Sequence, residues 1–181
     1  MNGKETIQRI VSEVLSRYPE RAPEGKSADP KPERVRKVAL AADHGGLELK
    51  NILRGYIEDL GYSVKDFGTY TKESVDYPDY AARVACAVAE GAYDRGIVVD
   101  GAGIGSCMAA NKVKGIRAAM CYDLKTAINS REHNNANVLT LGGPLLETAA
   151  AKGIVKVWLE TPFGGGRHQR RVDKIMALEK P

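Results

Sequence analysis

The stretch Arg95-Gly96-Ile97-Val98-Val99-Asp100-Gly101-Ala102-Gly103-Ile104-Gly105-Ser106-Cys107 decides the fold. Its first part, Arg95 to Val99, is a short apolar run rich in β-branched residues, as expected of a strand buried on both faces. An acid and a glycine-rich turn follow, and Cys107 to Lys112 reads as helix. Strand, glycine turn and helix form the first part of a parallel β–α–β unit. The pattern recurs outward in both directions. Arg36 to Ala42, Tyr62 to Phe67, Ile116 to Cys121 and Asn137 to Leu141 read as four more strands. Gly46 to Leu60, Tyr77 to Glu90, Leu124 to Glu132, Leu145 to Leu159 and Arg167 to Leu178 read as helices. The expectation is an α/β protein in three layers, a five-stranded parallel sheet with helices on both faces. In such sheets ligands sit at the carboxyl ends of the strands, near the switch in strand order.

Composition narrows the rest. The 181 residues, 43% of them hydrophobic, suffice for one ordinary domain. Lys and Arg number 27 against 23 Asp and Glu, a net charge of +4, so a strongly basic nucleic-acid binder is not indicated. No apolar run approaches the length of a membrane span. Cys86, Cys107 and Cys121 are odd in number and scattered, which suits a reducing interior better than a disulfide framework or a zinc site. Glu5 and Glu13 interrupt what a signal peptide would need. A soluble cytoplasmic protein is expected.

The chain divides near residue 35. Ile7, Ile10, Val11, Val14, Leu15 and Tyr18 fall on one helix face, Asn2 and Glu5 fit a capping box, and Pro19 marks a stop. Pro19, Pro23, Pro30 and Pro32 then stand among charged and small residues that cannot fill a core. Residues 1–18 thus read as an amphipathic helix, 19–35 as a linker and 36–181 as the main domain. A helix this short needs something to cover its apolar stripe. Folding back on its own domain would do so, but the proline-rich linker favours a separate partner.

Residues suited to chemistry follow the strands. Asp43-His44-Gly45-Gly46 places a carboxylate and an imidazole on the first strand-to-helix turn, able to bind and protonate sugar oxygens; Asp43 alternatively just caps the helix. The glycines of 101–105 let backbone N–H groups converge on an anion, although the run fits neither a dinucleotide fingerprint nor a P-loop. Asp100, at the tip of a buried strand, is expected to be partly desolvated, with a raised pKa suited to carrying a proton. His133 and Asn134 lie in a polar cluster before the fifth strand, which also reads as a cap and loop. Arg167 and Arg171, four apart after Gly164-Gly165-Gly166, project from one helix face and can grip a phosphate; an ordinary solvated charge run is the alternative. The three histidines lack metal-site spacing, so no metal is expected.

Taken together, KVALAADHGGLELK, DFGTYTKESVDYPDYA, DGAGIGSCMAANKVKGIRAA, SREHNNANVLTLGG and TPFGGGRHQRRV resemble the ribose-5-phosphate isomerase B family, which includes the galactose-6-phosphate isomerase subunits. The resemblance spans residues 36–181. It implies a Rossmann-like domain, no cofactor, and interconversion of aldose and ketose phosphates through an enediolate, most simply D-ribose 5-phosphate and D-ribulose 5-phosphate. It also implies homodimers with shared active sites, or a tetramer. Carried over by motif, Asp43 and His44 contact the sugar, and Tyr77 is a further contact. Gly101, Ala102, Gly103 and Gly105, with Ser106 at the end of the loop, hold the enediolate. His133 helps open the sugar ring with Asn134 beside it, and Arg167 and Arg171 bind the phosphate.

The chain departs from the family pattern in places. Many members carry cysteine as the C–H base where this chain has Asp100, and some use glutamate where it has Ser106. The common loop threonine is Ala102, and an arginine frequent after Leu-Gly-Gly is Pro144. Asp100 is the expected replacement base and Cys107 the second candidate. A catalytically silent sugar-phosphate binder, or an isomerase of another phosphorylated sugar, are the alternatives. Residues 1–18 with their linker resemble encapsulation peptides of bacterial microcompartments, implying a shell or cargo protein as partner.

Overall fold

The computed structural model describes residues 37–179 together with Arg9. The helix read at 1–18, apart from Arg9, and the linker at 19–35 lie outside the described residues.

Every strand expected is present. β1 (Lys37–Ala42), β2 (Ser63–Asp66), β3 (Arg95–Asp100), β4 (Ala118–Met120) and β5 (Val138–Gly142) form one parallel sheet in the order β2-β1-β3-β5-β4. Between and after them run α1 (Leu47–Asp59), α2 (Tyr77–Ala89), α3 (Ile104–Ala110), α4 (Leu124–Glu132), α5 (Thr148–Glu160) and α6 (Arg167–Ala177).

Strand side chains alternate between two cores, as a period of two requires. Val38, Leu40, Ile97, Val99, Leu139 and Leu141 face one side, where Leu53 and Ile57 of α1, Ile128 of α4, and Ile154 and Trp158 of α5 cover them. Ala39, Ala41, Val98 and Val138 face the other, under Val84, Ala85 and Val88 of α2 and Ala110 of α3. The helix after β1 therefore lies on one face and the helix after β3 on the opposite face, although β1 and β3 are direct neighbours. That divergence opens a crevice above their carboxyl ends.

Some boundaries differ from the sequence reading. α3 begins at Ile104 rather than Cys107. Gly103 adopts φ 78°, a left-handed conformation that glycine enters without penalty, and so turns the chain into the helix early. α5 begins at Thr148 rather than Leu145, because 142–145 close a turn in which the Leu145 N–H donates to Gly142 O at 3.3 Å. α4 starts with a capping box: Asp123 Oδ1 accepts from Thr126 N at 2.7 Å, and the Asp123 N–H donates to Thr126 Oγ1 at 3.3 Å.

Candidate active site

The turns after β1, β3 and β5 meet at one end of the sheet. Asp100 lies level with Gly142 in the sheet, and its carbonyl accepts the Gly143 N–H at 2.7 Å. The Asp43 N–H donates to Val99 O at 3.1 Å, and a Cβ on Gly45 would stand 3.5 Å from the Gly101 backbone.

Within this junction Asp100 is only 3% exposed. Burial at the strand tip is as the sequence reading expects, and the carboxylate is in addition held by backbone N–H groups. Its Oδ1 accepts the N–H of Ala102 at 2.8 Å and that of Gly103, and its Oδ2 accepts the N–H of Ser106 at 2.9 Å. The glycine loop is indeed an anion nest, and the chain's own carboxylate sits in it. The N–H groups of Gly101, Ile104 and Gly105 have no acceptor among the described residues.

Asp43 is also buried, and its Oδ1 accepts the Gly46 N–H at 2.9 Å. That bond closes the turn ahead of α1; the N-cap position belongs to Gly46, with no side-chain cap, so Asp43 lies at the crevice without being the helix cap. His44 is exposed, and its Nδ1 accepts the Val75 N–H at 3.3 Å, so the proton of the neutral ring sits on Nε2. Tyr77, at the start of α2, packs on the glycine loop. A Cβ on Gly105 would lie 2.5 Å from the Tyr77 ring, so only glycine admits the tyrosine there. Cys107 is turned away: its thiol donates to Ala118 O of β4 at 3.4 Å. Ser106 is fully buried, and its hydroxyl has no partner among the described residues.

The second group of residues lies at the opposite end of the sheet. α4 runs antiparallel to the strands it connects, so His133 at its carboxyl terminus lies near the start of β5, whereas Asp100 is level with the end of β5. At about 3.3 Å per residue, β5 alone separates the two levels by roughly 13 Å. Asn129 Nδ2 donates to His133 Nδ1 at 2.8 Å, and His133 Nε2 lies 3.8 Å from Glu132 Oε2. Asn134 is exposed, its amide 3.5 Å from Asn129 O. The Gly164 N–H donates to Glu132 O at 2.9 Å, which brings the start of α6 against the end of α4. Arg167 and Arg171 are exposed there, and neither guanidinium meets a carboxylate among the described residues.

The structure thus brings Asp43, His44, Tyr77, Asp100 and the loop to Ser106 together. It brings His133, Asn134, Arg167 and Arg171 together elsewhere. A cleft of about 350 Å³ runs beside the second group, lined by Met120, Cys121, Lys125, Asn129, His133 and Asn134. Sequence reasoning missed Asn129 and His168; the four-residue spacing from Asn129 to His133 is the signal that points to the first. Among the described residues no three His, Cys, Asp or Glu side chains gather into a metal-binding group, and no helix is long and apolar enough to cross a membrane.

Comparison with known proteins gives a consistent result. Residues 38–175 match the Ribose/Galactose Isomerase family. Ribose-5-phosphate isomerase B of Escherichia coli (strain K12) is 44% identical over 146 residues, 81% of this chain and 98% of that protein. D-erythrulose-4-phosphate isomerase of Pectobacterium atrosepticum is 41% identical over 139 residues, 76% of this chain and 91% of that protein. The solved structure of ribose-5-phosphate isomerase B from Clostridium thermocellum superposes with a TM-score of 0.78 at 50% identity, over 79% of this chain and 97% of that one. With the match reaching from β1 into α6, and with relatives covered almost end to end, the chain belongs to the ribose/galactose isomerase family.

Proposed function

We propose that this protein interconverts an aldose phosphate and its ketose through an enediolate, with D-ribose 5-phosphate and D-ribulose 5-phosphate as the pair. The observation that carries this reading is the buried Asp100 carboxylate within the N–H groups of the glycine loop, beside the Asp43 turn. Moving a proton between adjacent carbons needs a base at the carbon and donors for the growing oxyanion. Asp100 Oδ2, which accepts a single N–H, keeps a lone pair for the carbon-bound proton. The N–H groups of Gly101, Ile104 and Gly105 are the donors left for the enediolate. Asp43, His44 and Tyr77 orient the sugar hydroxyls.

A phosphate anchor completes the chemistry, because remote binding energy holds the reacting carbons in register. Arg167 and Arg171 are that anchor, and His133 with Asn134 opens the ring. Since they lie at the far end of the sheet, a second copy of the chain delivers them, and a homodimer is the smallest assembly that does so. We further propose that residues 1–18 dock the enzyme to a shell or cargo protein of a bacterial microcompartment; the family match begins only at residue 38.

Purified protein is expected to equilibrate ribose 5-phosphate and ribulose 5-phosphate; failure to turn over any pentose or hexose phosphate would sink the reading. A second reading, a sugar-phosphate binder without turnover, is favoured by the occupation of the loop's N–H groups by Asp100 itself. Asp100→Cys separates the two. Loss of an existing activity supports the aspartate as base, and a large gain from a near-zero baseline supports the silent binder.

A further inference from the structure

His168 belongs to the basic motif of α6 but has no part in the scheme above. The residue is buried, 8% exposed, and its imidazole lies flat on His133, with ring centroids 4.1 Å apart and planes 7° from parallel. Its Nε2 accepts the Arg167 Nε–H at 3.4 Å. An arginine can only donate, so the proton of the neutral His168 ring sits on Nδ1. That Nδ1 is buried and has no partner among the described residues. A buried donor left unsatisfied weakens a fold, and a purely structural position would be better filled by an apolar ring.

We propose that His168 is a positioning residue, one neutral imidazole that sets the plane of His133 by stacking and the direction of the Arg167 guanidinium by accepting its Nε–H. The inference rests on the isomerase reading for what His133 and Arg167 do, but not for the arrangement itself. The surroundings favour a neutral ring. Burial pushes the His168 imidazole below its ordinary value, and His133, Arg167 and Arg171 push it the same way, against Glu132. Protonation would place an imidazolium against His133 and two guanidinium groups and would remove the acceptor for Arg167.

Two variants separate the two duties. His168→Phe keeps a flat ring on His133 but cannot accept from Arg167, so KM for the sugar phosphate is expected to rise about tenfold with kcat within about twofold. His168→Gln keeps an acceptor and loses the stack, so kcat on the cyclic aldose is expected to fall about tenfold with KM little changed. Nitrogen-15 chemical shifts of the wild-type imidazole supply a readout independent of turnover. At pH 7 they should report a neutral His168 with the proton on Nδ1, titrating below the usual imidazole range. A charged ring or an Nε2–H tautomer overturns the proposal whatever the substrate proves to be. So does wild-type KM in the Phe variant together with wild-type kcat in the Gln variant, or equal loss of both parameters in both variants. If wild-type protein turns over no sugar phosphate while the shifts are as expected, the isomerase reading falls and the arrangement of the three side chains stands.

Discussion

Asp100 is where the chemistry of this chain concentrates. On the proposal that its Oδ2 takes the carbon-bound proton, Asp100→Asn keeps the size and the loop contacts of one oxygen but removes the base. Steady-state assays should then find kcat lowered by about 10²–10⁴-fold, the usual contribution of a positioned base. Activity within a few-fold of wild type would remove Asp100 from the mechanism. The cysteines make a contrasting case. Burial pushes the Cys121 thiol up to about 11, whereas Cys86 is exposed. Thiolate, not thiol, is the nucleophile, so iodoacetamide at pH 8 should label Cys86 and spare Cys121 in the native protein, read by peptide mass spectrometry. The acid at position 100 is legible in the sequence as a residue at a strand tip. That its oxygens curl back onto Ala102, Gly103 and Ser106 is not legible, because it depends on the left-handed turn at Gly103.

The segment between β2 and α2 acts as a strap beside the crevice. Asp66 anchors it three ways: its carboxylate pairs with Lys50 of α1, its Oδ1 accepts the Gly68 N–H at 2.8 Å, and its carbonyl accepts the Tyr70 hydroxyl at 2.9 Å. The far end of the strap supplies the Val75 N–H that fixes the His44 tautomer. Lys50 is fully buried, so Lys50→Ala leaves a buried carboxylate without its cation and should destabilise the fold by about 3–5 kcal/mol in urea denaturation. The same variant should raise KM, because His44 loses its restraint. Lys72 pairs with Glu48 in full solvent, and Lys72→Ala should leave the unfolding midpoint where it was. Equal effects from both substitutions would show that the strap is not held through Asp66. Strands and helices were readable here because the buried strands are continuous apolar runs and the longer helices carry clear apolar stripes. Where short-range side-chain bonds or turn geometry decide, as at Ile104 and Thr148, the pattern misplaces a boundary by three residues. The Lys50–Asp66 pair was invisible, since a lysine in an amphipathic helix ordinarily points to water.

At the scale of the molecule, the motifs named the residues but not their distribution. Asp100 and Arg171 fall on opposite ends of one sheet because α4 and α5 each return the chain to the level where the strands begin, and that follows from topology rather than from any motif. The leading segment lies outside the family match, so deleting residues 1–34 should leave kcat and KM unchanged while abolishing co-assembly with shell or cargo protein; loss of activity would remove the support for a docking role. The division of the site between two copies has a sharper test. Asp100→Asn and Arg171→Ala chains, each inactive alone, are unfolded together and refolded as a mixture. In a mixed dimer with shared sites, one site collects both substitutions and the other collects neither. Random pairing makes half the dimers mixed and leaves one intact site in each, so about a quarter of wild-type activity should return. If both groups serve a site within one chain, every site in the mixture carries a lesion and nothing returns. Size-exclusion chromatography of tagged chains confirms that mixed dimers formed, so a null result then contradicts the shared site rather than reporting failed exchange.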